Sequence, residues 1–89
     1  MKAGAFPLSM AAIGERVCLE SIFGGEKINQ RLTALGLTPG VELCIVQDAG
    51  GPLLISVRDS RIAIGRGMAQ KIMVSQVMEN SISSLGGNK

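Results

Sequence analysis

Eighty-nine residues, 46% of them hydrophobic and 18% charged, with a net charge of +2, suit one small domain with a modest core. The chain has no His, Trp or Tyr, and its two aromatics are Phe6 and Phe23. This removes the commonest general base and zinc ligand, the stacking platforms of single-strand nucleic-acid binders and the aromatic groove that reads proline-rich peptides, so the composition argues against an enzyme and against a nucleic-acid partner.

The opening MKAGAFPLSMAAIG carries a single Lys and an apolar run broken by Pro7, which makes a poor signal peptide. No apolar run approaches the ~20 residues needed to span a bilayer. The expectation is a cytoplasmic protein that does not cross the membrane and keeps its thiols reduced. Within residues 1–14, Leu8, Met10, Ala11 and Ile13 suit a short helical turn over one end of the core. From Arg16 to Phe23 the chain alternates Val17 and Leu19 against Arg16, Cys18 and Glu20, the period of a half-buried strand. Gly24-Gly25 ends it.

Ile28, Leu32 and Leu35 then recur at helical spacing among polar residues, predicting a helix of about ten residues with one apolar stripe, stable only when that stripe is packed. Gly36 fits the left-handed position just past a helix end, with Leu37 folding back on Leu32 as in a Schellman cap. Thr38-Pro39-Gly40-Val41 has the residues of a type II turn: Pro sets φ at the second position and Gly supplies positive φ at the third.

Val41 to Asp48 is the next strand, with Val41, Leu43 and Ile45 in phase against Glu42, Cys44 and Val46. Ala49-Gly50-Gly51-Pro52 reads as a hairpin connection to LLISVR, in which Leu53, Ile55 and Val57 alternate. A tight turn at Asp59-Ser60 leads into a strand from Arg61 to Gly65, a helical turn over Met68 to Gln70 and a last strand from Ile72 to Val74. About five short strands, one helix after the first and a helical turn before the last predict a mainly-β chain, a small barrel closed on itself without exposed edges. Residues 1–75 are expected to form this single domain. The polar, Gly-rich residues 76–89 read as a flexible tail.

Candidate sites are few. Gly65-Arg66-Gly67 resembles the start of a phosphate loop, but Gln70 stands where the third Gly would be, and a flexible strand-to-helix turn explains both glycines. Arg58, Arg61, Arg66 and Lys71 are opposed locally only by Asp59. They read as a solvated face or as a contact for an anionic partner. The five Met are scattered and the seven carboxylates dispersed, so neither type suggests a metal or acid-base constellation. Cys18 and Cys44 have no ligand spacing and read as structural thiols, with a disulfide or a shared metal site for Fe or Zn as the alternatives. No cofactor is otherwise evident. LGLTPG reads either as a cap and turn alone or as a corner that presents Leu35 or Leu37, with Gln30, Arg31 and Pro39, to another protein. Leu35 and Leu37 flank one Gly and cannot easily both point inward.

Taken together, Ile22 with Gly24-Gly25, Arg31-Leu32, Leu35-Gly36-Leu37 with Pro39-Gly40, Gly51-Pro52, Ile55 to Val57, Ile62-Ala63-Ile64 and Ala69 before Ile72-Met73-Val74 resemble the FeoA family of bacterial ferrous iron uptake, over about residues 8 to 75. The resemblance implies an SH3-like β-barrel. It also implies an accessory role beside FeoB, a membrane transporter whose cytoplasmic part is a GTPase, which would place the chain at the inner membrane through its partner. A similar barrel ends iron-dependent repressors of the diphtheria toxin repressor type, but this chain has no room for their helix-turn-helix domain. A metal-responsive module is the second implied reading, and self-association is left open.

Overall fold

The computed structural model describes residues 4–77. Six strands alternate with little helix: β1 (Phe6–Pro7), a 3-10 turn (Leu8–Met10), β2 (Arg16–Ile22), α1 (Glu26–Ala34), β3 (Glu42–Asp48), β4 (Leu53–Val57), β5 (Ser60–Ile64), α2 (Arg66–Ala69) and β6 (Ile72–Gln76). The helix between the first two long strands and the helical turn before the last strand lie where the sequence predicts them. The sixth strand is β1, in the opening segment for which the sequence predicts only a short helical turn; its Pro7 lacks an N–H and sits on an edge, where no ladder donor is required.

The strands form one antiparallel sheet in the order β1-β6-β2-β3-β4-β5. The expected edge-to-edge closure needs correction: among the described residues no ladder joins β5 to β1, and the SH3-like fold is a curled sheet with two ends. Two interruptions of register cause the curl. One lies between Leu19 and Ser21 on β2, where the partner strand advances only from Val74 to Met73. The other lies between Ile45 and Gln47 on β3. A bulge adds twist and also flips the parity of the residues beyond it. Val17 and Leu19 therefore face inward, yet Ile22, three residues beyond Leu19, packs on the core as well.

The core is the concave face of this curl: Val17 and Leu19 of β2, Leu43 and Ile45 of β3, Leu53, Ile55 and Val57 of β4, Ile64 of β5, Ile72 and Val74 of β6, roofed by Leu8 and by Leu32 of α1. Among the described residues no polar or charged residue is buried with them, so the interior is held by apolar burial at roughly 25 cal/mol per Å². The expected helical stripe needs one correction: Leu32 is buried and Ile28 packs against the core, but Leu35 is 46% exposed. The helix stops at Ala34, and Leu35 as C-cap (φ −89°, ψ 0°) has already left the helical path.

The domain boundary also moves. Gln76 belongs to β6 and its amide donates to Glu15 Oε2 at 2.8 Å, and the Val77 N–H donates to the Arg16 carbonyl, so residue 76 is not the start of a tail. Residues 78–89 lie outside the described residues.

Candidate functional site

The corner after α1 is organised by backbone hydrogen bonds. The Leu37 N–H donates to the Leu32 carbonyl and the Gly36 N–H to that of Thr33, both at 2.9 Å, the paired bonds of a Schellman cap. Gly36 at φ +92° supplies the left-handed step. Val41 N–H then donates to Thr38 O at 3.1 Å, with Gly40 at φ +95°, which closes the predicted type II turn. The turn is locked onto β2: Gly40 N–H donates to Leu19 O and Leu19 N–H to Val41 O.

This geometry resolves the pair that flanks Gly36. Leu37 has no exposed surface and joins the core, whereas Leu35 faces outward. Leu37 therefore drops out of the candidate partner surface. The cap requires its side chain to fold back over Leu32, so the sequence's apolar pair is one core residue and one surface residue. Gln30, Arg31 and Pro39 are exposed, so the corner presents Leu35 and Pro39 beside one cation and one amide.

On the outer face of the sheet, Cys18 stands opposite Glu42 and Cys44 opposite Arg16. The two thiols share a face of neighbouring strands and are diagonal neighbours, about 7–8 Å apart along the backbone, and both are free. Burial, with the Glu20 and Glu42 carboxylates adding to it, pushes the Cys18 thiol above its ordinary range. Among the described residues no group of three or more His, Cys, Asp or Glu is placed to hold a metal ion. A structural zinc takes four such ligands, so these two cysteines do not make a complete centre.

Sequence reasoning missed a concavity of about 460 Å³ on this same outer face, lined by Arg16, Gly40, Val41, Glu42, Leu43, Cys44, Ser56 and Arg58. Arg16 Nη2 meets Glu42 Oε1 at 3.0 Å across β2 and β3. Arg16, Cys44, Ser56 and Arg61 form one cross-strand row. Arg58 follows Val57, the partner of Leu43, and so comes level with Glu42. The basic stretch read as one unit thus divides: Arg66 pairs with Asp48, while Arg58 and Arg61 belong to the outer sheet face. Outward parity on each strand was the available signal, but the register that aligns the rows is not written in any single strand. Gly65-Arg66-Gly67 leads into the single turn of α2, with the Arg66 guanidinium engaged by Asp48 rather than facing a phosphate.

The FeoA domain family model matches residues 6–76. A Methanocaldococcus jannaschii protein bearing the name Fe(2+) transport protein A is 44% identical over 69 residues, covering 78% of this chain and 84% of the relative. A crystal structure of an iron uptake regulatory protein, FeoA, is similar at a TM-score of 0.77 and 36% identity, over 82% of this chain and 99% of that one. The Stenotrophomonas maltophilia FeoA structure, a zinc complex described as an SH3 domain protein, is similar at a TM-score of 0.70 and 28% identity, over 79% and 89% of the two chains.

Proposed function

This chain belongs to the FeoA domain family, and from that premise we propose that it is a non-enzymatic accessory protein of ferrous iron uptake. It docks on the cytoplasmic GTPase region of a FeoB-type transporter and modulates that partner's assembly or GTP turnover. The protein itself is cytoplasmic and reaches the inner membrane through the transporter. Among the described residues no helix is long and apolar enough to cross a membrane.

The observation that supports docking is the division of labour at the corner. The cap and the turn are closed by the backbone bonds of Gly36, Leu37, Gly40 and Val41, with Leu37 as the buried side chain, which leaves Leu35 with no part in the core. An apolar side chain at a helix end beside Arg31 and Pro39 offers a partner a small hydrophobic anchor inside a polar rim, the usual composition of a contact centre. Leu35→Gln is expected to weaken transporter binding by about tenfold, or ~1.4 kcal/mol, while leaving the fold intact. Surface plasmon resonance against the immobilised GTPase region checks this. Undiminished affinity in the Leu35→Gln protein would move the contact elsewhere.

A metal-responsive role has one supporting observation, the shared outer face of Cys18 and Cys44. Among the described residues it lacks the further donors a resident ion requires, and it ranks second.

A further inference from the structure

We propose that the outer-face concavity is an acceptor site for a carboxylate side chain carried on an extended acidic segment of a partner protein, with Arg58 as the principal contact. Two arginines and one glutamate line it, a surplus of one positive charge. Arg16 is already engaged by Glu42 at 3.0 Å. Arg58 is exposed, and no carboxylate pairs with it among the described residues. A surplus of one charge suits one carboxylate, which a guanidinium holds through two parallel hydrogen bonds.

The backbone supports the assignment. Arg58 is the one non-glycine at positive φ among the described residues, at +56°, in the two-residue turn between β4 and β5, where Gly or Asn would sit with less strain. A residue held in such a conformation by the structure around it is more often found at a functional site. Here the turn brings the guanidinium to the concavity, level with Glu42 on the adjacent strand.

The shape favours a polypeptide over a free phosphate. The volume is several times that of a single oxyanion, and the hollow crosses β2, β3 and β4 with Gly40, Val41 and Cys44 interspersed among the charges. Extended backbone can follow those strands while one of its carboxylates meets Arg58 and the Ser56 hydroxyl donates a further hydrogen bond. A phosphate dianion calls for a denser cluster of cations and backbone N–H donors. This inference is independent of the iron-uptake reading, and its test uses no component of that system.

The experiment is a titration of the ¹⁵N-labelled full chain with a blocked tetraglutamate peptide at about 0.15 M salt, where interactions between separated surface charges are largely screened. A parallel arm uses inorganic phosphate. Saturable amide shifts are expected at Arg16, Glu42, Cys44, Ser56 and Arg58. Arg58→Gly and Arg58→Asn both suit the left-handed turn and so preserve the fold; each is expected to weaken the peptide at least about fivefold, the loss of a bidentate charged contact. Glu42→Gln should strengthen it about threefold, since it removes the one carboxylate that lines the concavity. Lys27→Gln, on α1, should leave the affinity unchanged. Equal weakening by Lys27→Gln and Arg58→Gly would reduce the effect to diffuse charge attraction and overturn the proposal. Tighter binding of phosphate than of peptide at the same amides, or a Glu42→Gln protein that binds more weakly, would overturn it as well.

Discussion

Replacing Leu37 and Leu35 separately by Ala should give two very different costs, although the residues flank one glycine and are chemically identical. Leu37 has no exposed surface, packs in the core beside Leu32 and is fixed by its N–H bond to the Leu32 carbonyl at 2.9 Å. Truncating such a side chain loses its transfer free energy and leaves a cavity that a hydrogen-bonded corner cannot collapse to fill, about 2–5 kcal/mol in comparable sites. Leu35 is 46% exposed. About half of the ~1.5–3 kcal/mol of a fully buried Leu is realised there, part of that survives in the Ala Cβ, and no sealed cavity forms, so the cost is below about 1 kcal/mol. A domain of this size has a total stability of ~4–13 kcal/mol, so Leu37→Ala removes a large part of it. Urea denaturation followed by circular dichroism measures both, provided the slope stays constant between variants. Thermal midpoints should fall by at least ~8 °C for Leu37→Ala and by less than ~8 °C for Leu35→Ala, from ~4–8 °C per kcal/mol. Equal costs, or a Leu37→Ala cost under ~1 kcal/mol, would refute the cap geometry on which the corner rests.

Gly36→Val should cost about 1–3 kcal/mol through backbone strain at φ +92°; a Cβ there meets nothing within 4 Å, so an unchanged midpoint would remove the left-handed assignment rather than report a relieved collision. Cys18 keeps its proton in the fold at pH values where the unfolded chain releases it, because burial and then Glu20 and Glu42 disfavour the thiolate. The folded state then binds more protons, so this group's contribution to stability is constant below about pH 8.5 and declines as pH rises from there through the folded value. The pH profile of Cys18 alkylation, mapped by mass spectrometry, should have a higher midpoint in the folded protein than in urea and should move down in Glu42→Gln; coincident profiles would contradict this. Anaerobic titration with Fe(II) and Zn(II) is expected to give the same uptake for the wild type and the Cys18→Ser, Cys44→Ser double variant, because two diagonal thiols lack further donors among the described residues; stoichiometric uptake abolished in the double variant would restore the thiol site.

The corner was legible because its determinants are local. A Schellman cap and a type II turn are specified by which residue must take positive φ, and Gly36 and Gly40 are the two that do so in LGLTPG. The strands were legible from period-two alternation, since Val17, Leu19, Leu43, Ile45, Leu53, Ile55 and Val57 all prove buried. Alternation fails at a bulge, which is set by pairing with another strand: Ile22 reaches the core only because the β2 register slips after Leu19. The two-residue β1 is too short for any periodic signal, and its Pro7 is tolerated because an edge position makes the missing N–H harmless. Leu35 matched the helical spacing of Ile28 and Leu32, but the cap unwinds the chain one residue too early for it to face inward. The outer-face concavity was hidden for the opposite reason. Arg16, Glu42, Ser56 and Arg58 come from separate segments and meet only through the registers of β2, β3 and β4.

The central claim is the partnership with a ferrous iron transporter, and calorimetric titration of this chain into the cytoplasmic GTPase region of the FeoB-type protein from the same organism tests it most directly. The titration is made without nucleotide, with GDP and with a non-hydrolysable GTP analogue. Saturable binding in at least one nucleotide state, weakened about tenfold by Leu35→Gln, is the predicted result; no heat of binding in any of the three states would contradict the account.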